Sequence, residues 1–69
     1  MAEPSLGIRL KDVRTAAGLT QAELAERVGV SRKTINTVEN GVFIPSTLLA
    51  LRLAQELGVR VEDLFFLNR

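Results

Sequence analysis

Leu6, Leu10, Val13 and Ala17 recur at i, i+4, i+7 and i+11, one apolar stripe of a helix that Gly18 stops. Thr20 with Glu23 three residues on reads as a capping box, and Leu24, Ala25 and Val28 form the stripe of a second helix ending at Gly29. Ser31 caps a third helix carrying Ile35 and Val38, which closes at Asn40-Gly41, and Val42 to Ile44 form a loop. Pro45-Ser46 opens a fourth helix, with Leu49, Ala50, Leu53, Ala54 and Leu57 at helical spacing up to Gly58. A short fifth helix is expected over 61–67, with Val61, Leu64 and Phe65 inward, and residues 1–5 read as a frayed start. No segment alternates long enough to read as a strand. The expected fold class is all-α, a five-helix bundle forming one domain over residues 1–69.

Residues 21–40 have a logic of their own. Two helices are joined by Gly29-Val30-Ser31, a turn so tight that one residue must adopt positive φ, which Gly29 does without a Cβ penalty. Ala25 is small because the next helix crosses close over it. With Leu24, Val28, Val30, Ile35 and Val38 turned inward, the outer face of the third helix reads Arg32, Lys33, Asn36 and Thr37. These are donors and acceptors of the kind that contact base edges and phosphates.

Composition narrows the chemistry. The 69 residues contain no cysteine and no histidine, which removes disulfides, thiolate metal sites and the commonest general base. The carboxylate pairs Glu23/Glu26 and Glu62/Asp63 have no histidine or glycine-rich phosphate loop beside them, so an enzyme is not expected and no cofactor is called for. Tryptophan and tyrosine are absent, against a stacking platform for single strands. No apolar run approaches a membrane span, and a cytoplasmic protein without membrane contact is expected. Net charge is only +1, but Arg27, Arg32 and Lys33 occupy a stretch from 27 to 37 that holds no acid.

The run Thr20-Gln21-Ala-Glu-Leu-Ala-Glu-Arg-Val-Gly-Val-Ser31, followed by Ile35, Glu39-Asn40-Gly41 and Pro45-Ser46, resembles the phage repressor/Cro-type, or Xre-like, helix-turn-helix family. The resemblance covers roughly residues 6–66, with the helix-turn-helix at 21–40, and implies a lambda-repressor-like DNA-binding domain. It implies groove contacts from Arg32, Lys33, Asn36 and Thr37, and phosphate contacts from Gln21 and Asn40. It also implies an internal ion pair between Arg14 and Glu39, which stand at the edges of their apolar stripes. Two positions depart from the family pattern. Arg60 stands where a Ser or Thr usually caps the last helix, and Thr47 replaces a usual Leu.

Leu48 and Leu51 lie on the far side of the fourth helix from its inward stripe, and Phe66 and Leu67 extend beyond the last core position. Apolar surplus of this kind marks a partner surface. The combined expectation is a transcriptional regulator, a repressor, that binds double-stranded DNA as a homodimer on a palindromic operator, with no small-molecule effector evident. The alternative is a helical adaptor or antitoxin-like partner module on the same fold, against which the acid-free face of the third helix argues.

Overall fold

The computed structural model describes residues 5–68, and the first and last segments of that range pair with each other. Strand β1 (Ser5–Ile8) pairs antiparallel with β2 (Phe65–Asn68), Ser5 opposite Asn68 and Ile8 opposite Phe65. Between them run α1 (Leu10–Ala16), α2 (Gln21–Val28), α3 (Arg32–Glu39), α4 (Thr47–Leu57) and the single turn α5 (Val61–Leu64).

The all-α expectation is therefore corrected to five helices plus a two-stranded sheet. Leu6 belongs to β1 and not to the first helix, and the last helix stops at Leu64 instead of reaching Leu67. Cross-strand partners share a face of a sheet, so Leu6, Ile8, Phe65 and Leu67 lie on one side and Gly7 and Phe66 on the other. Gly7 is what allows the pairing: a Cβ there would overlap the Phe66 ring. The Arg9 guanidinium lies over the same ring, 4.3 Å from its centroid, and Arg9 N–H donates to the Leu64 carbonyl at 2.8 Å. Of the frayed start expected for residues 1–5, only Ser5 falls within the described residues, and it opens β1.

Side-chain caps fix where the central helices begin. Thr20 Oγ1 accepts from the Glu23 N–H at 3.0 Å while Glu23 Oε1 accepts from the Thr20 N–H at 2.9 Å. Ser31 and Ser46 accept from Thr34 and Leu49, each at 3.1 Å. Arg60 has no such oxygen. Instead Asp63 accepts the Arg60 N–H at 2.9 Å, so α5 is capped from inside its own turn. Leu10, Leu24, Ile35, Leu53 and Leu64, one from each helix, are fully buried and form the centre of the core, with Val28, Val38 and Phe65 around them.

Candidate nucleic-acid interface

The α2–α3 corner is set by backbone geometry and by one small residue. Gly29 takes φ 75°, and the Val30 N–H closes the turn on the Ala25 carbonyl at 3.0 Å. Ala25 is buried in the core cluster beside Ile35 and Val38, which pins the inner face of α3. The outer face then presents Arg32, Lys33 and Asn36 to solvent, with Thr37 partly covered. Among the described residues, neither Arg32 nor Lys33 has a carboxylate partner. Both stand in the first turn of α3, where the helix dipole disfavours positive charge, so the site is electrostatically poised for an anion. Arg27 is different: it pairs with Glu56 of α4 at 3.7 Å.

Behind this face runs a polar chain. Arg14, 7% exposed, donates from Nε to Glu39 Oε2 at 2.6 Å and from Nη2 to Oε1 at 3.2 Å, and its Nη1 reaches the Leu19 carbonyl at 2.8 Å. Glu39 Oε1 also accepts from Gln21 Nε2 at 2.9 Å. The same nitrogen donates to Asn36 Oδ1 at 3.2 Å, and Asn40 Nδ2 donates to that oxygen at 3.2 Å. Gln21 and Asn40, expected from the resemblance to face phosphates, thus turn their amide groups toward α3. Thr37 Oγ1 donates back to the Thr34 carbonyl at 3.0 Å, which leaves its methyl group and lone pairs for a partner.

The sequence reading missed this chain. Asn36, Glu39 and Asn40 at i, i+3 and i+4 share one side of a helix, and that spacing was the available signal. The connection to Gln21, 15 residues from Asn36, has no local signature. Of the four apolar residues expected at a partner surface, Leu48, Leu51 and Leu67 are exposed, whereas Phe66 folds over Gly7 and is half-buried. Sequence reasoning also passed over Ile44, which is 73% exposed.

Two helices in a tight turn, the second with a cationic, unpaired outer face, define a helix-turn-helix DNA-binding domain. The helix-turn-helix family model matches residues 10–64, and the chain belongs to this phage repressor/Cro-type family of transcriptional regulators, which is non-enzymatic. It is 50% identical over 60 residues to an uncharacterized HTH-type transcriptional regulator of Methanothermobacter thermautotrophicus, covering 86% of this chain and 87% of the relative. Among solved structures it resembles the restriction-modification controller protein C.AhdI of Aeromonas hydrophila, with a TM-score of 0.74 and 35% identity over 78% of this chain and 82% of that one. The SOS-response transcriptional repressor LexA of Eubacterium rectale gives a TM-score of 0.73 at 31% identity, over 78% of this chain and 57% of that one. DNA-binding regulation of transcription follows from the family. Among the described residues, no helix is long and apolar enough to cross a membrane.

Proposed function

We propose that the protein is a sequence-specific repressor that binds double-stranded DNA as a homodimer on a palindromic operator, with α3 lying in the major groove. The observation that carries the reading is the exposed, acid-free start of α3, where Arg32 and Lys33 stand without carboxylate partners. In this reading Arg32, Lys33, Asn36 and Thr37 meet base edges. Because both amide hydrogens of Gln21 are already engaged, the phosphate contact at the start of α2 comes from the free backbone N–H groups of its first turn. Asn40 at the end of α3 keeps one amide hydrogen for a second phosphate. Repression is favoured because the similar LexA of Eubacterium rectale is a transcriptional repressor.

One recognition helix reads only a few base pairs, so selectivity calls for two copies with their α3 helices one DNA turn apart, about 34 Å. The self-contact then comes from a surface that spares α2 and α3. An apolar groove of about 250 Å³ runs between β1, the 44–47 segment, α4 and α5, lined by Leu6, Ile44, Pro45, Leu51, Val61 and Phe65 among others. Leu48, exposed on α4, stands outside this lining. A concave strip next to apolar projections is self-complementary under a two-fold axis, so each copy can fill the groove of the other.

Selection of bound sites from random duplex DNA tests the reading. A palindromic consensus with two half-sites one helical turn apart is expected. Absence of any DNA binding at low salt would show an adaptor on the same fold instead.

A further inference from the structure

The polar chain behind α3 fixes which atoms of its amide groups face outward. Glu39, held by two hydrogen bonds from Arg14, offers a carboxylate, which can only accept. The Gln21 atom 2.9 Å from Glu39 Oε1 is therefore its NH2 group. The same nitrogen is 3.2 Å from the Asn36 side chain, so the Asn36 atom facing it is the oxygen. Asn40 approaches that oxygen at 3.2 Å and must do so with its own NH2 group. Both lone pairs of Asn36 Oδ1 are thereby occupied. What Asn36 leaves for a partner is its NH2 group alone.

We infer that Asn36 is a donor-only specificity residue, that it binds a hydrogen-bond acceptor on the operator, and that Gln21 is the residue that sets this polarity. The inference rests on the DNA-binding reading above and adds to it the chemistry of one contact. A free asparagine reads adenine by accepting from N6 and donating to N7 at once. Here the accepting half is committed inside the protein, so the adenine pairing would break two existing hydrogen bonds. Guanine presents O6 and N7, both acceptors, and is the base edge that matches. A phosphate oxygen offers the same acceptor chemistry without sequence information.

The test is site selection from random duplex DNA by wild type, Asn36→Ala and Gln21→Met, with melting curves to confirm that each variant is folded. If Asn36 meets a base edge, Asn36→Ala flattens a guanine preference at one position of each half-site and weakens that operator about five- to a hundredfold. Gln21→Met then admits adenine at the same position, because without the Gln21 donor the Asn36 and Asn40 amides can turn over together. If Asn36 meets a phosphate, Asn36→Ala weakens all sequences uniformly and leaves the consensus intact, which overturns its role as a specificity residue. An adenine preference that disappears in Asn36→Ala would overturn the inference, as would an unchanged consensus and affinity in that variant. A wild-type protein that selects no sequence overturns this inference and the DNA-binding reading together, whereas a selecting wild type with an indifferent Asn36→Ala overturns this one alone.

Discussion

Arg14 and Glu39 are side chains 8% and 3% exposed, and burying two charges is tolerable only because each satisfies the other. Removing one partner strands the second in the interior. Arg14→Met or Glu39→Gln is expected to cost about 3–5 kcal/mol, which is comparable with the whole stability of a domain of this length at about 0.05–0.15 kcal/mol per residue. Urea unfolding measures it, and the double variant Arg14→Met/Glu39→Met is expected to recover much of the loss. Arg32 and Lys33 belong to the same scale but to a different observable. Arg32→Ala and Lys33→Ala are each expected to weaken operator binding by about 1–3 kcal/mol where the contact is to a base. Where it is to a phosphate, the salt dependence falls by about one charge. Fluorescence anisotropy across a salt series reads both, with melting temperature unchanged. The outward turn of these two residues was legible in the sequence, because the inward positions Ile35 and Val38 dictate it. The inward turn of the Gln21 amide was not, since it depends on Glu39 and Asn36 arriving from another helix.

At the scale of elements, what is local was readable and what is not local was hidden. The capping box at Thr20 and the serine caps at 31 and 46 are written in three-residue spacings and need no tertiary partner. Their chemistry carries a pH signature. The Glu23 carboxyl lies below its ordinary value of 4.5, chiefly because the Thr20 backbone N–H donates to it and then because of the Thr20 side chain. A depressed carboxyl contributes stability that is fully present above its unfolded value and is lost as pH falls through the lowered one. Glu23→Gln is therefore expected to flatten the loss of stability below about pH 4.5, read from thermal melts between neutral and acid pH.

The strands are the contrary case. Leu6 and Leu10 fit a helical stripe, and four-residue strands are too short for alternation to register. Their pairing rests on Gly7 under Phe66, partners far apart in the sequence. Gly7→Ala is expected to push the ring off its place over Gly7 and beneath Arg9, at a cost of about 1–3 kcal/mol. The cost should shrink in a Phe66→Leu background, and a double-mutant cycle by denaturant unfolding measures the coupling.

For the molecule as a whole, helix order and the helix-turn-helix followed from periodicity and punctuation. The distribution of exposed apolar surface did not, because it depends on how β1 and β2 pair beside α4 and α5. That pairing half-buries Phe66 over Gly7 and leaves the groove beside Leu51. Sedimentation equilibrium of wild type against Leu51→Glu tests the proposed dimer: self-association is expected in the first and a monomer in the second. Both remaining monomeric, with equal cooperativity on a palindromic site, would rule this surface out. The strand pair has a mechanical consequence as well. Ser5 and Asn68 face each other at the open end of the antiparallel pair, so tension applied at these two residues pulls directly across the first rung. The rungs then open in succession, as in a zipper, instead of sharing the load in shear. A small force in an optical trap is expected to peel the two strands apart before it reaches the α2–α3 corner. Handles attached beyond the inner end of the strand pair, at Arg9 and Leu64, would load the helical core directly and require a higher force.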